Sequence, residues 1–515
     1  MPTSYIERIL RARVYDVVKE TPLDHAKLLS EKSGNSVYLK REDLQKVFSF
    51  KIRGAYNRIA QLSDEAKAKG VIAASAGNHA QGVAMSASLH GTKATIVMPR
   101  TTPPIKVRAV RRLGGKPVLH GDSYDDAYER AIELMHEQGQ TFVHPFDDPD
   151  VIAGQGTIAM EILKQHPDPI DAIFVPIGGG GLIGGIAAYV KYVRPETKII
   201  GVEPEDAACM HAAVKAGRRV SLKQVGIFAD GVAVRQAGKE TFKLTKEYVD
   251  DIILANTDEI CAAIKDIFED TRTLSEPAGA LSVAGLKKYV QREGCTGQNL
   301  IAIESGANIN FDRLRHVAER AELGERREML LAVEIPERPG SFHQFCKILG
   351  RRSITEFNYR YADSFNAQVF AGVETSGEEE AQEIIAKLKE FGFPVTEMTD
   401  NEVAKLHIRY MVGGHAPGLE NELLYRFEFP ERPGALLDFL TRLGKKWNIS
   451  LFHYRNHGAA YGRVLMGIQV QQDKKHKLHE LLEHMGYPYW EETTNPAYLL
   501  FAGTDDFKDT INPAT

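Results

Sequence analysis

Two stretches of this chain are copies of each other. Residues 336–360 read PERPGSFHQFCKILGRRSITEFNYR and residues 430–455 read PERPGALLDFLTRLGKKWNISLFHYR, so PERPG recurs 94 residues on and the two align with one gap. Such a repeat constrains the fold more than any composition, because both copies must form the same unit. Each reads as a strand (LLAVEIP, LYRFEFP), a turn, a helix ending in Leu-Gly and a strand (ITEFNYR, ISLFHYR). A third strand (AQVFAGVE, GRVLMGIQV), a charged helix and a final strand follow. That β-α-β-β-α-β order predicts a small ferredoxin-like module, over residues 329–402 and again over 423–495. MVGGHAPGLE (411–420) reads as the linker between copies, and a second linker falls around ELGERRE, ahead of the first copy.

Residues 35–310 follow a different rule. Short β-rich runs alternate with helical patterns: SVYLKRED, then VIAA before SAGNHAQGVAMSASLHG, KATIVMP before PIKVRAVRRLGG, TFVHPF, DAIFVPI before GGGGLIGGIAAYVKYV, and KIIGVEPE. The alternation predicts an α/β unit whose parallel sheet is covered on both faces. In such sheets ligands bind where loops leave the carboxyl ends of strands. This unit is expected to span residues 1–322, its first 34 residues reading as helical.

Composition narrows the function classes. The chain has 515 residues and a formal net charge of -5, so a surface built for polyanions is not expected and nucleic acid is excluded as main partner. Cys209, Cys261, Cys295 and Cys346 form no CxxC pair, which fits a reducing cytoplasm rather than a disulfide framework. MPTSYIERILRARVYDVV carries charges through its apolar stretch and does not read as a signal peptide. The longest uncharged run, residues 173–190, holds six glycines and Pro176, a glycine-rich turn between buried elements rather than a membrane span.

Four turns could carry chemistry. In SFKIRGA (49–55) Lys51 sits behind Phe50 at a helix start. Desolvation and a helix N-terminus both favour the neutral amine that Schiff-base chemistry needs, although a lysine in isolation is ordinarily a surface residue. SAGNHAQG (75–82) follows an apolar run. Its backbone N–H groups suit a carboxylate or phosphate, and Ser75 or Asn78 equally suits a plain N-cap. In GGGGL (178–182) four glycines follow a strand, as in a backbone phosphate cradle. A rival reading takes Gly179, Gly181 and Gly184 as GxGxxG, with Glu203 following Gly184 by 19 residues; that is the dinucleotide fingerprint of an NAD-binding enzyme. In ESGAN (304–308) Ser305 could face a heterocycle nitrogen or simply cap a helix.

In this order, with ADGVAV (229–234) and SEPAGA (275–280), the four turns resemble the fold-type II pyridoxal-phosphate enzymes, and within them the serine/threonine dehydratase branch. The resemblance covers residues 5–315; the tandem copies resemble the two ACT-like regulatory modules of the biosynthetic threonine dehydratases. It implies a tryptophan-synthase-β-like catalytic part and pyridoxal 5′-phosphate as cofactor. The cofactor aldehyde would be joined to Lys51, with Asn78 beside its ring oxygen, Gly178, Gly179, Gly180, Gly181 and Leu182 around its phosphate, and Ser305 at its ring nitrogen. The substrate carboxylate would lie on Ser75, Ala76, Gly77, Asn78 and His79. The activity implied is dehydration and deamination of L-threonine to 2-oxobutanoate and ammonia, the first step towards isoleucine. L-Serine dehydration and racemisation share the same motifs. The resemblance further implies isoleucine and valine as effectors, with Tyr359 and Tyr454 as contacts, and a cytoplasmic homotetramer. Some relatives bind a divalent cation through a glutamate and an acidic residue six positions on. Here Glu203 is followed at that distance by Cys209, so no metal is expected. A chain whose repeats alone matter, a non-catalytic amino-acid sensor, is the remaining alternative.

Overall fold

The computed structural model describes residues 2–336, 341–350, 352, 354–361, 366–410, 421–430, 442–443, 447–455 and 461–502. The chain divides into two compact units, Met1–Ala321 and Glu322–Thr515.

The first unit carries two sheets. One is built from β1 (Leu23–His25), β2 (Ser36–Arg41), β7 (Ala172–Pro176), β8 (Lys198–Pro204), β9 (Asp251–Ala255) and β10 (Asn299–Glu304), in the order β1-β2-β10-β7-β8-β9. The other holds β3 (Val71–Ala74), β4 (Ala94–Met98), β5 (Lys116–Leu119) and β6 (Thr141–Phe142), in the order β5-β4-β3-β6. VIAA, ATIVM and AIFVP are buried at every position, as expected of strands with helices on both faces. All pairings are parallel except β1 with β2.

Two expectations need correction. The first 34 residues are not one helical stretch: helices Pro2–Leu10 and Lys27–Ser33 flank β1, which pairs antiparallel with β2 through Leu23↔Lys40. Three residues are too few to show a periodicity, and only the edge of β2 makes them a strand. ELGERRE is not a free linker either. Helix Leu314–Gly324 closes with Arg327 N donating to Glu322 O and Arg326 N to Leu323 O, and Arg326 has φ 56. This is a Schellman turn with arginine in glycine's usual place, leading directly into a strand.

The second unit repeats one plan. β11 (Glu328–Pro336), β12 (Ile354–Tyr361), β13 (Asn366–Glu374) and β14 (Val395–Glu397) form an antiparallel sheet ordered β12-β13-β11-β14. β15 (Glu422–Pro430), β16 (Asn448–Arg455), β17 (Tyr461–Gln469) and β18 (Tyr489–Glu491) repeat it as β16-β17-β15-β18. Leu330 and Phe370 of one copy share a core with Leu424 and Leu465 of the other. The N-cap asparagines Asn401 and Asn495, 94 positions apart, bond each other at 3.2 Å. Contact between equivalent residues marks a local two-fold between the copies. The linker 411–420 lies outside the described residues.

Candidate active site

Lys51 opens helix Lys51–Ala60. The loop before it is clamped to the end of β10: Phe50 N donates to Ser305 O (3.2 Å), Ala307 N to Phe48 O (2.9 Å), and Ser49 bridges Gly306. Lys51 Nζ lies 3.0 Å from the Pro145 carbonyl and 5.2 Å from the centre of the Phe50 ring. Burial brings the amine down to about 8, with Glu276 pulling the other way. A neutral amine is thereby accessible near neutral pH.

Behind Lys51 the same helix is anchored by charges sealed from water. Arg53, fully buried, donates to both Glu42 oxygens (2.8 and 2.7 Å) and to Glu161 (2.6 and 2.9 Å), while Lys40 Nζ meets Glu161 at 2.6 Å. Two cations and two carboxylates balance within one hydrogen-bonded cluster, the condition under which burying them is tolerated.

The SAGN turn leaves the carboxyl end of β3 and enters helix Asn78–Leu89. Gly77 N donates to Ser75 Oγ at 3.2 Å, and a Cβ on Gly77 would meet nothing within 4 Å, so the turn borders open space. Asn78 donates to Glu276 Oε1 at 2.5 Å and accepts from Asn308 Nδ2 at 2.6 Å. His79 turns inward: its Nε2 donates to Val143 O at 2.8 Å, and burial, aided by Lys51, holds it down at about 3. Its imidazole is a neutral structural donor, so only its backbone faces the turn.

GGGGL follows β7 and enters helix Gly181–Val193. The Cβ side of this turn is filled by protein. A Cβ on Gly179 would run into the Phe146 ring, and one on Gly180, at φ +93, would stand 2.5 Å from Met210 Cε. Thr241 Oγ1 donates to Gly179 O at 2.6 Å. The backbone is thus pinned from behind at a helix N-terminus, the arrangement that binds anions. Ser305, at the end of β10 and buried, donates to Ala278 O at 3.3 Å.

The four turns therefore meet. Lys51 touches the Ser305 turn through Phe50, Asn78 reaches it through Asn308, and the glycine turn rests on Phe146, next to the Pro145 that holds Lys51. The sequence reading missed Glu276, Asn308 and the Pro145–Phe146 corner as parts of the site. SEPAGA held the clue for Glu276: a carboxylate directly before a proline that starts a helix, Pro277–Glu293. The corner between β6 and helix Pro149–Gln165 carries no residue type that marks a site.

Glu203 does not take the role the dinucleotide reading needs. Its two oxygens accept Met210 N (2.8 Å) and His211 N (2.7 Å), capping helix Cys209–Ala216. Tyr359 and Tyr454 take equivalent registers, opposite Val369 and Val464; their side chains lie outside the described residues. Among the described residues no helix is long and apolar enough to cross a membrane, and no group of three His, Cys, Asp or Glu is placed to hold a metal ion.

Residues 14–306 match the family described as pyridoxal-phosphate dependent enzyme, which displaces the NAD alternative. Residues 319–408 and 413–501 each match the C-terminal regulatory domain of threonine dehydratase. The L-threonine dehydratase biosynthetic IlvA of Burkholderia multivorans is 58% identical over 96% of this chain and 99% of its own. The Escherichia coli protein of the same name is 54% identical over 96% of both. The solved structure of the processed form of threonine deaminase isoform 2 from Solanum lycopersicum is similar with a TM-score of 0.61 and 49% identity, covering 62% of this chain and 93% of that one. With its cofactor-type site and twofold regulatory repeat, the chain belongs to the biosynthetic threonine dehydratases, a family of pyridoxal-phosphate-dependent lyases.

Proposed function

We propose that this chain removes water and then ammonia from L-threonine, leaving 2-oxobutanoate, as the first step towards isoleucine, and that L-serine is a further substrate. The observation that carries this is that the turns at the carboxyl ends of β3, β7 and β10 are tied, through Asn308, Phe146 and Phe50, to the segments that hold the Lys51 amine.

The residues present fit pyridoxal phosphate. The glycine turn is filled on its Cβ side and opens its backbone donors at a helix start, while the space at Gly77 is free. In this reading Lys51 holds the aldehyde, Gly178 to Leu182 hold the phosphate, Asn78 lies beside the ring oxygen and Ser305 at the ring nitrogen. The bound cofactor supplies an electron sink for the charge that develops at the substrate Cα. A serine, unlike an aspartate, puts no negative charge at the ring nitrogen that would hold a proton there, which would suit elimination.

The rest of the chemistry belongs to the chain. Ser75 to His79 bind the substrate carboxylate at the start of helix Asn78–Leu89, where the helix dipole favours an anion; the Ser75 and Gly77 N–H groups are given to Val97 O and Ser75 Oγ, which leaves those of Ala76, Asn78 and His79 as the donors. The Lys51 amine takes the Cα proton, which its lowered proton affinity allows near neutral pH. Loss of that proton and of the Cβ hydroxyl gives one water and 2-aminocrotonate. One water then hydrolyses its imine tautomer to the keto acid and ammonia. The Arg53 cluster fixes the helix that aims Lys51, because positioning supplies much of the acceleration in such sites.

Isoleucine as inhibitor and valine as activator would act in the second unit, at the equivalent strand positions of Tyr359 and Tyr454, in a cytoplasmic homotetramer. Each effector must bind two global states unequally to couple to the site. The test is release of 2-oxobutanoate from threonine, with and without isoleucine, by wild type and Lys51→Ala. The variant is expected to lose both turnover and the cofactor's visible band; retention of either refutes the role of Lys51.

A further inference from the structure

Glu276 is 5% exposed and has no part in the scheme above, yet it stands at the centre of the site. Asn78 Nδ2 donates to its Oε1 at 2.5 Å. At the other end of the amide, Asn78 Oδ1 accepts from Asn308 Nδ2 (2.6 Å), whose nitrogen also donates to Val47 O (2.7 Å). A backbone carbonyl can only accept, so the Asn308 nitrogen is fixed as a donor and the Asn78 oxygen as its acceptor. The Asn78 nitrogen must then face Glu276, leaving its second N–H as the donor open to a ligand. Glu276 is itself tied to the Ser305 turn, since Glu276 N donates to Gly306 O at 3.1 Å and Ser275 Oγ to the same carbonyl at 3.2 Å.

We infer that Glu276 is a positioning residue for the reaction: it holds the nitrogen end of the Asn78 amide whose oxygen end Asn308 holds, joins the Asn78 turn to the Ser305 turn, and changes the strength of that grip with its own protonation. The inference rests on the reading of Lys51 and Asn78 as the cofactor site. The groups facing Glu276 come from four elements. Asp230 opposes its charge, Lys106 and Arg313 favour it, and Lys51 feels the charge of Glu276 in turn. Asp230 is itself held by Lys106 at 2.7 Å and Arg313 at 3.5 Å. Burial, with Asp230 second, raises Glu276 to about 7. The carboxyl is therefore neutral below that pH and charged above it, and the charged form grips the Asn78 N–H more strongly.

The test compares wild type, Glu276→Gln and Glu276→Ala as full-length chains. Pyridoxal phosphate affinity of the cofactor-free chain, visible absorbance of the loaded chain against pH, and kcat against pH are measured. Wild type is expected to show an absorbance change and a kcat limb with midpoints near 7. Alanine, which removes the acceptor of the Asn78 N–H and leaves Asn308 alone to hold the amide, should weaken cofactor binding roughly 10- to 100-fold, the scale of a charge-assisted hydrogen bond. Glutamine keeps an acceptor for Asn78 and cannot titrate, so it should restore most of that loss and erase the midpoint near 7 in both profiles. Should glutamine leave both profiles unchanged, or alanine bind cofactor within twofold of wild type, the inference is overturned. If alanine does not fold, the glutamine profiles decide. A wild-type chain with no visible band that Lys51→Ala removes would instead sink the cofactor-site reading itself.

Discussion

Replacing Arg53 with methionine strikes the fold and the site at once. Arg53 lies two positions beyond Lys51 and is completely buried between Glu42 and Glu161. Methionine restores most of the apolar bulk but leaves two carboxylates facing one remaining cation, Lys40. Breaking a buried ion cluster by removing one partner costs about 3–5 kcal/mol. Unfolding entropy of about 2.1 cal/mol/K per residue over the unit Met1–Ala321 gives roughly 0.67 kcal/mol/K, so the transition of that unit should fall by about 4–7 °C at pH 8. The sign with pH follows from Glu42. Burial alone would raise its carboxyl, but Arg53 and Lys40 outweigh burial and hold it below its usual value of 4.5. A depressed carboxyl contributes stability that is present above the unfolded value and is lost as pH falls through the folded one. Without Arg53 burial dominates and the carboxyl takes up a proton more readily, so the gap to wild type narrows towards pH 5. Scanning calorimetry of the cofactor-free chain at pH 5 and 8 measures both. A shift under about 1 °C at pH 8, or an equal shift at both pH values, would refute the reasoning.

Other perturbations separate the remaining parts of the account. Gly180→Ala forces a side chain onto φ +93 and against Met210 and Thr241, a strain of about 1–2 kcal/mol before the clash; pyridoxal phosphate affinity, followed by fluorescence titration, should drop about tenfold or more, and a change under twofold counts against the cradle. Glu203, raised to about 7 by burial, binds its proton more tightly folded than unfolded, so its contribution to stability declines as pH rises from 4.5 through 7. Glu203→Gln removes that slope, and the unfolding free energy from urea melts should move in its favour by up to about 3 kcal/mol between pH 5 and 8; parallel pH curves would contradict it. A chain ending at Ala321 should keep keto-acid release from threonine and lose any response to isoleucine, whereas a retained response would place the effector site in the first unit.

What could be read without coordinates was local. Each four- to seven-residue buried run announced its strand, and the glycine, asparagine and serine turns announced themselves because a backbone that must approach a ligand needs small or donor-bearing residues. The repeat of PERPG announced two equal modules, since equal sequences bury equal faces. Long-range pairings were not legible. Asn78 and Glu276 are 198 residues apart, and Arg53 and Glu161 are 108 apart, and no periodicity links such positions. The same limit hid β1, which becomes a strand only on the edge of β2, and misled the reading of ELGERRE, whose charges look like a linker until the helix before it closes on Arg326.

The sequence by itself determined that β2, β3, β4, β7 and β8 would be strands, and where the small-residue turns and repeated modules would fall, because those depend on the spacing of apolar and small residues within one element. Only the tertiary structure decided which turns would face one another, that Glu203 would cap a helix and that Glu276 would grip Asn78. Those choices depend on sheet order and on the need to pair every polar group that the packed core removes from water.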